Sequence, residues 1–526
     1  MTARPEGWVA GIADRILISR QSIILILAVS ANLFVGCSNT SPEQIALASR
    51  LDAAITELKS IPTPTSPWPA SSTTAANIPD YMEVRRALRR GDIAPLRAYL
   101  PDAIRKFEAG ELSEPAFEVG LLPLWATLPE AIPALDAWLV ESPRERAALL
   151  ARGIVRVRLA WDERGSDGYR HTPKENLRRM RELCMLAADD LIASIQLSRR
   201  PIPAVRQLIE IAQLTGWMRK RAKALFAEGA RIAPTSSELH LQFVPLLYGE
   251  WGGGPISEVE EFVAQAKRNG VGRNAWAMVE RGLYNAGHGN IFDRDSNVSL
   301  NYLIEFSEKY DTYGLWFWRS KEERMQGRLA EAAKSLERAT QLSTDQREVT
   351  EERGYQHELR GMLPEAVAEY ERATNLESAW AFEKLIYAYK HGTTLGLQKD
   401  LRKARVLCEE SAAIHQAIGE FCLSLFYHNG GAGLPQDDGR AAHWEGLAAH
   451  HGSVVAAQNR GWRLVIGKGL PANREEGIFW LRKAARSKDK HAIELLRQLG
   501  EPIEDPAANP SLYARVEWWI NRVMKN

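Results

Sequence analysis

Helical periodicity is the main pattern of hydrophobic and polar positions between residues 82 and 310. At three places a hydroxyl residue is followed three positions later by a glutamate, and apolar residues at i, i+3 and i+4 come after each pair. The pairs are Ser142 with Glu145, Thr172 with Glu175, and Ser257 with Glu260. No segment alternates apolar and polar residues over the length of a strand. The pattern predicts a mostly helical domain over residues 82–310.

A repeat with a period of 34 residues begins after residue 310. Residues 327–339 recur as residues 361–373, and the match includes small residues such as Ala332 and Ala366, which suit positions where paired helices touch. This pattern resembles the tetratricopeptide repeat, a helix–turn–helix unit of the same length. We therefore expect tetratricopeptide-like repeats over residues 311–377.

A longer repeat follows, with a period of 36 to 38 residues. In each of three blocks a tyrosine or leucine precedes a glycine by three positions. A glycine–leucine pair follows shortly after that glycine. The first glycines of the blocks are Gly392, Gly430 and Gly467. The pattern resembles the Sel-1-like repeat, and it departs from that family at Leu464, where tyrosine is usual, and at Gly477, where alanine is usual. We expect Sel-1-like repeats over residues 378–489 and capping helices over residues 490–526.

Stacked units of this kind bury their apolar faces only against their neighbours, so they form one superhelix with a concave face. The predicted fold class is all-α: an α-solenoid of helix–turn–helix repeats that follows a mostly helical N-terminal domain. The resemblance implies an adaptor or scaffold with a protein or peptide partner. The sixteen tryptophans are expected to fill gaps between helices, and the alternative is an aromatic-lined ligand groove. Trp444 and Trp480 are the candidate interaction surface.

An apolar run of fifteen residues, 22–36, follows three arginines near the N-terminus. As a helix it would span ~22 Å, less than the ~30 Å hydrocarbon core of a bilayer, so it favours a signal peptide over residues 1–36. Residues 33–38 (LFVGCS) resemble the lipobox of bacterial lipoproteins, although Phe34 stands where leucine is usual. The resemblance implies cleavage before Cys37 and acylation of this cysteine. The alternatives are an uncleaved short anchor and a plain signal peptide with an incidental cysteine.

Several acyl chains on one cysteine give durable membrane attachment. In the lipoprotein family a serine after the cysteine, here Ser38, implies the outer membrane, so we expect the protein to be lipid-anchored to the periplasmic face of that membrane. Residues 61–79 contain five prolines among serine, threonine and alanine, which predicts an extended spacer. We therefore assign residues 37–81 to the anchor and a proline-rich linker, which would serve as a stalk or as a simple domain linker.

The balance of charges bears on nucleic-acid binding, and the few cysteines bear on disulfide bonding. The chain has 67 lysines and arginines against 66 aspartates and glutamates, without the basic excess of a nucleic-acid-binding protein, so no nucleic-acid partner is expected. Cys408 and Cys422 are predicted on successive helices, where the envelope would permit a disulfide; two buried thiols are the alternative. Cys184 has no evident partner in the sequence.

The N-terminal domain contains the element Trp161-x-x-Arg164-Gly165 and a Trp-Gly-Gly element that begins at Trp251. On these elements, part of the domain resembles a bacterial family known only as domain of unknown function 4034. It implies no activity, but it favours an envelope or secreted protein of a bacterium.

Common catalytic and metal-binding motifs are absent from the sequence. There is no Gly-x-Ser-x-Gly, His-Glu-x-x-His or Cys-x-x-Cys, so we expect no enzymatic activity, no cofactor and no metal ion. His443, His450 and His451 form a histidine cluster that we expect on a solvated helix face, because no cysteine or carboxylate is spaced to complete a metal site.

Two alternatives to a non-catalytic scaffold stay open. The protein would be an envelope enzyme if a polar loop of the 82–310 domain performed acid–base chemistry, although the same loop would serve equally well to fix the start of a helix. The candidate residues of this loop are Asp162, Glu163, Arg164, Asp167, Tyr169 and His171. In the other alternative the repeats pack on the N-terminal domain and brace it.

Overall fold

Helices make up the described part of the protein. The computed structural model describes residues 42–64, 79–165, 172–215, 218–247, 256–271, 300–342 except 302, 306, 309, 310 and 312, 347–392, and 394–502. These residues contain helices and no β-strand, which confirms the predicted all-α class. None of the helices in these ranges is both long and apolar enough to cross a bilayer. The predicted signal peptide, Cys37 and most of the proline-rich segment lie outside the described ranges.

The N-terminal domain, residues 42–271, is built from helices α1 to α11. Their bounds are α1 Pro42–Ser60, α2 Tyr81–Arg89, α3 Ala94–Ala109, α4 Glu114–Leu121, α5 Ile132–Glu141, α6 Arg146–Arg164, α7 Lys174–Gln196, α8 Ile202–Leu214, α9 Arg219–Ile232, α10 Ser237–Phe243 and α11 Ile256–Arg268. Short 3₁₀ helices are present at Leu122–Leu124, Pro129–Ala131 and Val244–Leu247.

One continuous apolar cluster forms the core of this domain and extends in sequence from Leu47 to Val271. Helix α8 lies inside it: every residue of α8 is buried, and α6, α7, α9 and α10 all contact it. The buried guanidinium of Arg206 on α8 forms ion pairs with Glu118 and Glu238. A buried charge is tolerated when it is paired in this way.

Helix α1 is part of the same core. Its residues Leu47, Leu51, Ala54 and Leu58 repeat at spacings of four and three, so they share one face, and each is 0% exposed. That face packs on α7 and α9. The assignment of residues 37–81 to an anchor and linker is therefore wrong for α1, because helical spacing alone did not reveal what the apolar face packs against. The proline-rich segment instead joins two parts of one domain.

The repeat array, residues 313–502, consists of helix pairs with short turns. Its helices are α12 Tyr313–Met325, α13 Leu329–Leu342, α14 Arg347–Leu359, α15 Leu363–Asn375, α16 Ala379–His391, α17 Leu401–Ala413, α18 Ala417–Asn429, α19 Asp438–His450, α20 Val454–Ile466, α21 Arg474–Arg486 and α22 Lys490–Gln498. Consecutive helices contact each other, and so do α12 with α14, α16 with α18, and α20 with α22. The first helices of the pairs thus share one face of the stack, as in an α-solenoid.

The residues that recur in the sequence begin and end these helices. Asp400, Asp437 and Asn473 are the N-caps of α17, α19 and α21, and each side chain accepts at least one hydrogen bond from a backbone N–H group of the first turn. Gly392 and Gly467 end α16 and α20 in the left-handed conformation, with φ of 67° and 72°. The repeat period therefore reflects local helix-start and helix-stop signals.

Gly461 and Gly477 allow a close approach of α20 and α21. A Cβ atom on Gly461 would lie 2.8 Å from the backbone oxygen of Gly477, and a Cβ atom on Gly477 would lie 2.8 Å from the oxygen of Gly461. Distances this short do not occur for real Cβ atoms, so a side chain at either position would push the helices apart. The close approach of the two helices thus explains why position 477 has a glycine where the Sel-1-like pattern usually has an alanine.

Candidate functional site

A groove on the repeat array lies between α18 and α20, the first helices of two successive pairs. Its cavity has a volume of about 300 Å³. Three large apolar side chains line it: Leu425 and Trp462, which are half-buried, and Ile466, which is 49% exposed. The other lining residues are Ser424, His428, Glu445, Asn459, Arg463 and Lys468. An apolar surface with a polar rim of this kind suits a side chain and backbone of another polypeptide.

Ion pairs fix the polar wall of this groove. Arg463 Nε lies 2.6 Å from Glu445 Oε2, and the Arg463 guanidinium is 3.1 Å from Nδ1 of His428. His428 Nδ1 is also 3.1 Å from Asp438 Oδ1. Burial raises the pKa of Glu445 to about 7, although the charge of Arg463 acts in the opposite direction. The groove therefore has a preformed set of hydrogen-bonded polar groups beside its apolar surface.

Trp444 and Trp480, the tryptophans predicted to form the interaction surface, are not among the residues that line this groove. Trp444 is half-buried and packs on the apolar cluster that contains Phe426. Trp480 is half-buried as well, and its Nε1 donates a hydrogen bond to Glu476 Oε1 at 3.2 Å. Both rings fill gaps between helices, which the sequence analysis expected of most tryptophans. Their role in partner binding stays a prediction.

Trp462 is the tryptophan that faces the groove, and sequence reasoning did not select it. Leu464 on the same helix is buried at 2% exposure. Two residues correspond to roughly 200° of helix rotation, so Trp462 lies on nearly the opposite side of α20 from Leu464. The position of Leu464 in the repeat pattern was therefore a usable signal for the outward position of Trp462.

The predicted cysteine pair lies at the contact of α17 and α18. Cys408 and Cys422 form a disulfide in the structure, with Cα atoms 5.8 Å apart. The third described cysteine, Cys184, is a buried free thiol in the N-terminal domain, and burial raises its pKa to about 12.

The edge of the repeat array packs on the N-terminal domain at a surface that we call the junction. Glu377, in the turn between α15 and α16, accepts hydrogen bonds from Arg89 Nε at 2.9 Å and from Arg85 at 3.4 Å. Arg86 donates to the backbone oxygen of Asn375 at 2.9 Å. Burial acts to raise the pKa of Glu377, but the two arginines outweigh this effect and lower it.

The next two turns of the array extend the junction. His415, in the turn between α17 and α18, has its Nε2 atom 3.3 Å from Glu130 Oε1 of the N-terminal domain. His451, in the turn between α19 and α20, has its Nε2 atom 4.0 Å from Asp162 Oδ1 at the end of α6. Equivalent turns of three successive pairs thus contact the N-terminal domain, as in the alternative in which the repeats brace it.

The histidines at this junction have carboxylate neighbours that the sequence did not reveal. His451 Nδ1 lies 2.8 Å from both carboxylate oxygens of Glu420, whose side chain is 1% exposed. Burial of the ring acts to lower the pKa of His451, but the hydrogen bond and charge of Glu420 outweigh it and raise this pKa. Burial lowers the pKa of His450. The expectation of a solvated face is wrong for His450 and His451, and holds for the exposed His443.

The polar loop proposed for an enzyme is described only in part. Asp162, Glu163 and Arg164 form the last turn of α6, whereas Asp167, Tyr169 and His171 lie outside the described residues. Thr172 Oγ1 donates to the Arg164 backbone oxygen at 3.2 Å, and Asn176 Nδ2 donates to that of Glu163 at 3.0 Å. These bonds attach the start of α7 to the end of α6, which is the structural role considered for this loop.

Stacked helix pairs, N-caps at a fixed period and an outer groove define a helical-repeat protein of the solenoid class. Within it, residues 379–413, 419–453 and 454–489 each match the family model described as Sel1 repeat. The prediction of Sel-1-like repeats in this segment is thereby confirmed.

Solved structures with similarity to the chain include two repeat proteins. A Sel1 repeat protein from Oxalobacter formigenes is 19% identical, with a TM-score of 0.38, and the match covers 55% of this chain and 87% of that one. A protective antigen of uropathogenic Escherichia coli with an SLR fold is 14% identical, with a TM-score of 0.33, over 81% of this chain and 84% of that one. No curated protein sequence is significantly similar to the chain.

Proposed function

We propose that the protein is a lipid-anchored scaffold of a bacterial envelope that binds a segment of a partner protein in the groove between α18 and α20. The observation that carries this proposal is the groove itself, where Trp462 and Ile466 present apolar surface beside the paired polar side chains of Arg463 and Glu445. Tryptophan and arginine are the residues that contribute most often to the binding energy of protein interfaces. Stacked helical repeats generally use such surfaces to bind other polypeptides.

The groove and the junction use different residues. The junction uses the turns around Glu377, His415 and His451, whereas the groove uses the outward faces of α18 and α20. The repeat array is therefore able to brace the N-terminal domain and to bind a partner at the same time. The proposal assigns no reaction to the chain.

The proposed anchor at Cys37 would hold the N-terminal domain close to the membrane. Cys37 precedes the first residue of α1, Pro42, by five positions, and five extended residues span at most ~18 Å. The proline-rich segment comes after α1, so it adds no length between the anchor and the domain. The disulfide between Cys408 and Cys422 suits the oxidising periplasm, which supports the proposed outer-membrane location facing that compartment.

Site-specific photocrosslinking in intact cells tests the proposed groove. A photoreactive residue at position 466 is compared with one at position 455, because Ile466 and Val455 lie on the same helix and are 49% and 47% exposed. We expect position 466 to crosslink to one defined segment of one other protein, and Trp462→Ala to reduce this product. Equal crosslinking at the two positions, or none at position 466, would contradict the proposal.

The anchor is tested separately by labelling with a fatty-acid analogue. We expect incorporation into the wild-type chain and none into the Cys37→Ser variant. Equal labelling of both chains would refute acylation at Cys37 and would leave the groove proposal standing on its own test.

A further inference from the structure

We propose that the junction binds a divalent transition-metal ion of the zinc type, with Asp162, His450 and His451 as its ligands. Each of these residues offers one ligand atom, and the three atoms lie within 4.8 Å of one another. Asp162 comes from α6 of the N-terminal domain, and the two histidines come from the end of α19 in the repeat array. The ion would therefore link the two regions of the molecule.

The spacing of these atoms is close to that of a metal site. His451 Nε2 lies 4.0 Å from Asp162 Oδ1. Ligand atoms on tetrahedral zinc, with bonds of about 2.0–2.2 Å, are roughly 3.3 Å apart, so small side-chain rotations bring this pair into range. Two histidines and one carboxylate form a known type of three-ligand zinc site with a fourth position for water.

Glu420 orients His451 in the way that is typical of metal-bound histidines. Its buried carboxylate lies 2.8 Å from His451 Nδ1, so it accepts the N–H of that atom, and in the neutral ring the lone pair is then on Nε2, the atom that faces Asp162. Metal-ligating histidines almost always donate their second ring N–H to a carboxylate or carbonyl. Glu420 thus supplies the supporting carboxylate that sequence spacing did not predict.

Helix ends add a further attraction for a cation at this place. Asp162 lies in the last turn of α6 and His450 is the last residue of α19, so two helix C-termini, each with a partial negative charge, meet at the site. An aspartate in the last turn of a helix is unfavourable for the helix itself. A cation bound at Asp162 offsets that cost.

Lys483 and Arg158 are cationic side chains near the site, and each also contacts other groups. Lys483 Nζ donates a hydrogen bond to the backbone oxygen of Ala449 at 3.3 Å. Arg158, which lines the same cavity as the histidines, forms an ion pair with Glu210 and lies over the ring of Trp125 at 4.9 Å.

Isothermal titration of the purified full chain with Zn²⁺ tests this inference, together with the visible absorption bands of Co²⁺ bound in its place. We expect one ion per chain. Asp162→Asn is expected to lower the affinity by more than 100-fold, and Glu420→Gln, which keeps the shape of the supporting side chain, by about 10- to 100-fold. His443→Ala is the matched control, because His443 is exposed on the same helix as His450, and it should leave the affinity unchanged.

Circular dichroism of the apo variants separates a lost ligand from a lost fold. Absence of stoichiometric Zn²⁺ binding by the wild-type chain would overturn the inference. The same conclusion would follow if a folded Asp162→Asn variant bound Zn²⁺ as tightly as the His443→Ala control.

Discussion

The two regions of this molecule bury their apolar side chains in different ways. In the N-terminal domain one cluster joins residues from Leu47 to Val271, so helices distant in sequence share a single core. In the repeat array each described cluster comes from a few consecutive helices, for example α16 to α18 around Cys408 and α19 to α22 around Leu481. The array is thus stabilised mainly by neighbour contacts, whereas the domain depends on contacts between distant segments.

This difference predicts how many helices are destabilised when one core side chain is shortened. The largest effects are expected from matched leucine-to-alanine changes, one in the core of each region. Leu208 in α8 and Leu481 in α21 are both 0% exposed. Each leucine-to-alanine change is expected to cost about 2–5 kcal/mol. Hydrogen exchange should show loss of protection throughout the N-terminal domain for Leu208→Ala, but only in the neighbouring array helices for Leu481→Ala. Loss of protection across the whole molecule in both variants would remove the distinction.

The junction is expected to couple the two regions, and Glu377→Ala tests this coupling. The variant leaves the guanidinium groups of Arg85 and Arg89 without their half-buried carboxylate partner, which is expected to cost about 3 kcal/mol. Urea unfolding should then separate into two transitions, one for each region. Glu141→Ala is the control, because its ion pair with Arg97 is exposed and is expected to contribute less than about 1 kcal/mol. An unchanged single transition in Glu377→Ala would show that this ion pair does not couple the regions.

The disulfide is expected to stabilise the array alone. Cys408 and Cys422 are 14 residues apart, and closing a loop of this length stabilises a protein by up to about 3 kcal/mol. Reduction should therefore lower the unfolding free energy of the array transition in the Glu377→Ala background and leave the domain transition in place. A Cys408→Ala, Cys422→Ala chain should show no response to reductant.

The last comparison concerns pH, and it uses one carboxyl with a raised pKa in each region. Burial raises the pKa of Glu238 in the domain and of Glu445 in the array to about 7, above the ordinary value of 4.5. The folded state holds these protons more tightly, so the stability from each group is complete below pH 4.5 and falls as pH rises to about 7. Glu445→Gln and Glu238→Gln should therefore gain stability relative to wild type between pH 5 and pH 8 in thermal unfolding. A constant difference across this range would contradict the shifted pKa values.

The contrast between the regions also explains which features were predictable from sequence. Repeat spacing identified the array because the caps Asp400, Asp437 and Asn473 act within single turns. In the domain, the capping box at Ser142 is not used as predicted, since Ser142 follows the end of α5 and Glu145 is the N-cap of α6. Each of these residues is close to two helix ends, and only the packed structure decides between them.

The two candidate sites differ in the same way, because one depends on a single helix and the other on packing between distant segments. The outward position of Trp462 follows from the periodicity of one helix, so it was available in the sequence. The junction was not, because Glu420 meets His451 only when α18 and α19 pack together, and Asp162 meets it only when the array packs on the domain. No spacing along the chain indicates that contact.

Binding of the crosslinked partner segment, as a synthetic peptide, to purified variants is the most direct test of the proposed groove. Trp462→Ala is expected to weaken binding at least tenfold, a loss of about 1.4 kcal/mol or more, as for a residue at the centre of an interface. Trp480→Ala, which removes a ring packed between helices, should change the affinity less than Trp462→Ala does. A peptide that binds the Trp462→Ala chain as tightly as wild type would contradict the groove as the binding site.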